Sequence, residues 1–559
     1  MGWDAGAELE RDVTDAIDGQ QRLTTLFLLM LAIQQRVADM NDAATADALK
    51  SVISSAKFAG GKATVTPKLV PFYEGGEDTF RELLKQPSDT NAVRIALTSQ
   101  GVALAGSTHR LLSAYECINA YLNLHFPKSE QLQSFFDYLG NNVQFIQISA
   151  EVGQALKMFE TINERGVSLN AMDLLKNLLF VEVTENDYDK LKGKWEKITK
   201  PLDKAKLKPL RFLRYFIMAN YPVGQDVVRE DQIYEWFTTP SNIDATGYKK
   251  DPMKFVQELV VSAQWYVNIN ARKRPDGTDC RPLDRLRVMT GAAFSLHNVI
   301  LLAAGNLPHE AFDHMVEQLE SYLFYVLYTG TPSKDLEKQY AVQALEMRKI
   351  ASMADGPAKL VAIDAFVQTH WQSFMNTKAR ELEAALMAYS NGTTQRKFRT
   401  KYFLARLSQV ADAAFQGAVA CHALDHYDDL HIEHILPDTP NKGYDKIWDA
   451  EATNAFLPYA QAKESLGNLM LLEAPININA GNDYYDQKKP KYKNSLIYLT
   501  KALVELTAVG RDTQPDRFNK HLRTFPAWTA ASIMDRQRML TDLAANVWKT
   551  RPYGKPLTF

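Results

Sequence analysis

Between about Glu185 and Asn376 the chain is almost uniformly helical in pattern. Apolar residues return at near-helical spacing, and breaks fall only at YPVGQD, TTPSNIDATGYKKDP and RKRPDGTDCRP. A block of this kind must form packed helices, because each amphipathic helix has an apolar stripe to bury against another element. Any sheet therefore lies outside it and is small. The expected fold class is mainly α with small α+β parts. With 559 residues the chain exceeds what one core serves, and about three domains are expected.

The totals remove several classes. An apolar fraction of 46% with 23% charged residues is ordinary for a soluble globular protein. The longest apolar run, LTTLFLLMLAI, has 11 residues and cannot span a bilayer. The opening MGWDAGAELERD is acidic, carries no apolar signal segment and does not fit the myristoylation pattern. The 3 cysteines form no CxxC pair, which argues against a thiolate zinc site and a disulfide framework and fits a reducing cytoplasm. A net charge of −2 leaves nucleic-acid binding to local basic patches.

Around the helical block the signals are mixed. Asp18 and Gly19 precede QQRLTTLFLLMLAIQQRV, a helix that Asp18 can cap. FAGGKATVTPKLVPFYEGG (58–76) reads as a short hairpin. VQFIQIS (143–149) reads as a strand, followed by a helix ending on Gly166 and another through LNAMDLLKNLLFVEV. After the loop SNGTTQRK comes the amphipathic helix FRTKYFLARLSQV, and closing helices run to the end.

The chemistry gathers at 430–495. LHIEHILPD (430–438) sets His431 and His434 around Glu433 and ends on Pro437, which disfavours helix at Leu436. That makes it a strand and excludes the helical HExxH zinc motif. LGNLMLL is a second strand candidate, followed by the Asn- and Lys-rich PININAGNDYYDQKKPKYKNS and a helix. Strand, long loop, strand, helix is the order of a ββα-metal (HNH) nuclease finger. Its chemistry suits these residue types: a divalent cation on oxygen ligands such as Glu433 and an Asn amide, a neutral imidazole at His434 to take a proton from water, and Lys488 and Lys491 to offset phosphate charge. Each part also has a structural alternative. HxxH can be plain strand structure, Asn-rich segments form turns, and KKPKYK can be a solvated face.

The segments IEHILP, LGNLMLL, the Asn477, Asn482 and Lys488 series, the tail FPAWTAASIMDRQRMLTDLAANVWK and the entering helix FRTKYFLARL resemble the HNH-like C-terminal domain of GmrSD-type modification-dependent restriction endonucleases. IDGQQRLTTL and FETINERGVSLNAMDLLKNLLF resemble the ParB/sulfiredoxin-like N-terminal domain of the same family. The resemblance implies a partial ParB-like domain over 1–185, a helical middle over 186–376 and a nuclease domain over 377–559. It implies a metal-dependent endonuclease of phage defence acting on modified DNA, with Mg²⁺ or Mn²⁺ and a nucleoside triphosphate as cofactors, and it admits a homo-oligomer. Carried over by position, His434 is the general base and Glu433 and Asn477 are metal ligands. Asn468 and Lys488 complete the catalytic motif, with Asn468 resembling a tie between loop and finger. Asp18, Gly19, Gln20, Gln21 and Arg22, with Asn163 and Arg165, fall at the nucleotide or DNA-sensing site.

Only seventeen residues precede DGQQR, where the family carries further strands, so this domain is expected to lack its start. Basic stretches supply phosphate contacts, chiefly Arg396, Lys397, Arg399 and Lys401 before the nuclease segment, with Asn482 and Lys491 within it. Two other function classes remain open: a non-catalytic nucleic-acid-binding or regulatory protein with a structural finger, and an RNase or toxin of the HNH type.

Overall fold

The apolar stripe after Gly19 folds as the helix Gln20–Asp39. In the computed structural model Gly19 itself holds the N-cap position, at φ +80°, a conformation that only glycine adopts without strain. The structure describes residues 19–59, 62–71, 75–144, 171–184, 187–223, 228–292, 294–392, 397–416, 422–441 and 443–557. Asp18, Asn163, Arg165 and Arg396 fall outside them, as do most of the expected strand 143–149 and the helix ending on Gly166.

The chain divides into two units, Met1–Ser168 and Leu169–Phe559. In the first, Gln20–Asp39 buries Phe27, Leu28, Leu31 and Ile33 in a core shared with Phe80, Leu83, Leu111, Leu112 and Tyr115. Phe27 stacks on Phe80 with centroids 4.4 Å apart. The expected hairpin is present, shifted toward the N-terminus: β1 (Ser54–Ala59) pairs antiparallel with β2 (Lys62–Pro67). It starts early because β1 leaves the helix Ala43–Ile53 without an intervening loop.

The second unit is built on helices, as the periodicity of 185–376 requires. The helix His309–Tyr328 is buried along most of its length and packs against Arg281–Thr290 and Ser373–Met387. The entry helix Lys397–Gln416 and the closing helix Ala530–Val547 join the same hydrophobic core. Just past the closing helix, Trp548 stacks on Phe324 at 3.8 Å and donates its indole N–H to the Tyr402 hydroxyl at 3.1 Å. The Glu320 carboxylate is buried here. It accepts from Tyr402 at 2.6 Å, Arg285 at 2.7 Å and Arg406 at 3.2 Å, which satisfies a charge that would otherwise be prohibitive in a core.

The second sheet also has two strands, β3 (His431–His434) and β4 (Leu469–Leu472), antiparallel with His431 opposite Leu472 and His434 opposite Leu469. Successive strand residues face opposite ways. Ile432, Leu469 and Leu471 thus pack on the large helical core. Met470 and Leu472 face a smaller core with Ile435, Trp448, Tyr485, Tyr492, Trp528 and Ile533. Both faces of β4 are covered, which explains why LMLL is apolar without alternation. The Asn-rich segment read as a loop contains the helix Ala474–Ala480, with Pro475 in its first turn.

Candidate functional site

β3 ends at His434, and the segment that follows, through Pro437, is clamped. Asn468 accepts the Leu436 N–H at 2.7 Å and the Trp528 indole N–H at 2.9 Å, and donates to the carbonyls of Leu436 and Lys463, both at 2.9 Å. The Tyr459 hydroxyl donates to Pro437 O at 2.6 Å. Asn468 is fully buried and its hydrogen-bonding capacity is spent on these partners. It ties the strand end to the 463–468 turn and touches no open surface, which corrects its assignment to the catalytic group. Gly467 beside it has a steric reason. A Cβ there would come within 2.1 Å of Ile533 O on the closing helix.

The expectation that Glu433 and His434 work side by side meets the alternation of the strand. Glu433 turns into the smaller core, where its Oε1 accepts from Lys488 Nζ and from the Tyr492 hydroxyl, each at 2.7 Å. Lys488 is itself fully buried and also donates to His434 O at 2.8 Å. Its ammonium is an internal counter-ion, not a group facing a substrate, and burial pushes its pKa down despite Glu433. Asn477 lies on the helix Ala474–Ala480, with its Nδ2 at 3.5 Å from Nδ1 of the exposed His431. Its amide oxygen is buried without a hydrogen-bond partner.

His434 turns the other way. Its Nε2 is buried with no hydrogen-bond partner and lies 3.9 Å from a carboxylate oxygen of Glu464. Burial holds the imidazole pKa below its ordinary value in spite of Asp438, Glu464 and Glu433, so the ring is neutral at neutral pH. One donor atom each of His434, Asp438 and Glu464 lies within 4.8 Å of the others. Lys463 Nζ pairs with Asp438 Oδ1 at 2.6 Å. Asp438 and Glu464 were missed in the sequence. Asp438 stood in plain sight after Pro437, but Glu464 precedes the LGN motif and reaches His434 only because β3 and β4 pair.

The remaining expected residues divide by surroundings. Lys397 is exposed and close enough to help lower the Asp438 pKa, after Lys463 as the main cause. Arg399 donates to Leu327 O at 3.3 Å, and Lys401 donates to Asp428 O. Lys491 pairs with Asp483 at 2.7 Å and donates to Asn479 O at 2.6 Å, while Asn482 is exposed in the adjoining turn. In the first unit Gln20, Gln21 and Arg22 are exposed at the start of their helix, and a Cβ on Gly19 would meet the Arg22 guanidinium at 3.7 Å.

No helix among the described residues is long and apolar enough to cross a membrane. No curated protein matches the chain. Residues 4–180 match the model of the GmrSD restriction endonuclease N-terminal domain. Residues 376–543 match that of the GmrSD restriction endonuclease C-terminal domain, which contains β3, β4 and all the groups around His434. Two matches in the family's own order, covering most of the chain, show that it belongs to the GmrSD restriction endonuclease family, whose substrate is DNA.

Proposed function

We propose that the protein is a metal-dependent endonuclease of the ββα-metal (HNH) class that hydrolyses phosphodiester bonds in modified phage DNA, with His434 as its general base. The observation that carries this is the buried, unpartnered Nε2 of a neutral imidazole, at a strand end and beside two carboxylates, inside the family's C-terminal domain. A neutral imidazole accepts a proton from water, and its depressed pKa keeps it in that form at working pH. A divalent cation, Mg²⁺ or Mn²⁺, would supply positive charge at the scissile phosphate. Lys397 would meet a phosphate, a reading supported by its exposure and by its electrostatic reach to Asp438. The exposed start of the helix Gln20–Asp39 is proposed as the part that takes a nucleoside triphosphate or senses the DNA.

The test is cutting of modified and unmodified phage DNA with Mg²⁺ by the protein and by His434→Ala. The variant is expected to lose on the order of 10²–10⁴ in rate, the usual share of a general base. Cutting at the parental rate would remove His434 from the chemistry. Equal cutting of both DNAs would remove the modification dependence and leave the nuclease.

A further inference from the structure

We infer that the ring of Phe398, in the first turn of the entry helix Lys397–Gln416, is a stacking platform for a base that leaves the DNA duplex beside the cut. The inference deepens the nuclease proposed above and rests on it for the identity of the partner; the platform itself rests on geometry.

Phe398 is 38% exposed, although Tyr402, one turn further along the same helix, is fully buried. An aromatic ring at a helix start could simply turn away, but this one is held on two sides. Its tip lies against Gly291, where φ is +62° and a Cβ would come within 2.9 Å of the ring. Gly291 closes the helix Arg281–Thr290, and Arg287 donates to its carbonyl at 3.1 Å. The Arg399 guanidinium stands over the ring, 5.9 Å from its centroid. Arg399 is anchored in turn, donating to Leu327 O at 3.3 Å and accepting the Tyr328 hydroxyl on its carbonyl at 2.9 Å. With the tip and one face engaged, the exposure falls on the rest of the ring.

Charge selects the partner. Lys397, Arg399 and Lys401 flank the ring, and no acid stands between Lys397 and Arg406. The platform borders the His434 surface: Lys397 is exposed and helps lower the pKa of the Asp438 carboxyl, which stands within 4.8 Å of the imidazole. Lys463, paired with Asp438 at 2.6 Å, and Lys397 together offset the charges of Asp438 and Glu464, so this border does not repel a phosphate. Nucleic acid offers what both features need, phosphates for the cations and a flat π face for the ring. A paired base has its faces covered by its neighbours, so the base on Phe398 is one that has left the stack. Stacking reads no base edge, and the platform therefore accepts any base.

The experiment is binding of the full chain, in EDTA to withhold the proposed cation, to two DNA duplexes. One carries a single unpaired fluorescent purine analogue whose emission falls on stacking; the other is the same duplex fully paired. The parent, Phe398→Ala, Phe398→Trp and Lys397→Ala are compared, with melting curves to confirm folding. The parent is expected to bind the unpaired duplex more tightly and to quench it. Phe398→Ala should lose the quenching and roughly tenfold or more in affinity for that duplex, with its salt slope unchanged. Phe398→Trp should keep both, and Lys397→Ala should keep the quenching while its salt slope falls by about 1. Equal or absent binding of the two duplexes by the parent overturns the inference. So does a folded Phe398→Ala that quenches like the parent, or a loss that Phe398→Trp does not restore. A parent that cuts DNA with Mg²⁺ while Phe398→Ala binds as it does defeats the platform and spares the nuclease. A parent that quenches through Phe398 and cuts no DNA does the reverse.

Discussion

Lys488 shows how much one buried charge can hold. It pairs with Glu433 and also fastens the carbonyl of His434, so the strand that carries the imidazole is pinned from beneath. Lys488→Met would leave Glu433 buried with only Tyr492, and breaking a buried pair from one side costs about 3–5 kcal/mol. Urea unfolding should show that loss, and Glu433→Gln added to Lys488→Met should restore part of it. His297 offers a second test at this scale. Burial depresses its pKa to about 3, so the folded chain keeps it neutral where an unfolded chain would protonate it from about 6.5 downward. The sign follows from proton uptake on unfolding: stability present above pH 6.5 is lost progressively toward pH 3. Unfolding measured from pH 7 to 4 should have a shallower slope in His297→Gln than in the parent. An unchanged slope would show that His297 is not the group responsible.

At the scale of elements, the closing helix is what holds the turn that leads into β4. Arg536 donates to Gly467 O and Leu469 O, each at 2.7 Å, and Gln537 accepts the Gly467 N–H at 3.0 Å. The same Gln537 donates to Leu386 O and Met387 O, at 2.9 and 2.7 Å, so one helix joins β4 to the helix that precedes the nuclease segment. Gly467→Ala drives a methyl against Ile533 O and should cost about 1–3 kcal/mol, the range for overpacking. Because β3 and β4 pair directly, the same change should also reduce DNA cutting beyond what its unfolded fraction explains. Activity measured well below the melting midpoint tests this. On the entry helix, Lys397→Ala should weaken DNA binding evenly across sequences and reduce the salt slope by about 1.

The whole molecule ties its middle to its nuclease segment through a buried charge network. Arg285 and Arg406 hold the Glu320 carboxyl at about 2, well below its ordinary value, and Tyr402 passes the connection to Trp548. The second unit shares one core across these parts, so the helices of 171–376 support β3 and β4 directly. Stability from Glu320 is present above about pH 4.5 and is lost as pH falls toward 2. Glu320→Gln should leave two largely buried arginines without the carboxylate charge they share and lower the melting temperature of the second unit at neutral pH. Differential scanning calorimetry is the measurement.

Much was legible in the residues. Helical periodicity gave the α-rich middle, LHIEHILPD gave β3, which stops at His434 before Pro437 is reached, and LGNLMLL gave β4, since each depends on local backbone sterics and on which face is apolar. The Asn-rich segment was misread because Pro475 starts a helix that its composition disguises. The linear order 433–434 suggested partners, while strand alternation separates them, one into a core and one toward Asp438 and Glu464. Sequence by itself determined which two segments form the small sheet of the second unit and that His434 stands at the end of its first strand. Only the tertiary structure decided which carboxylates stand beside that imidazole, because pairing of β3 with β4 brings Glu464 across thirty residues of chain to His434.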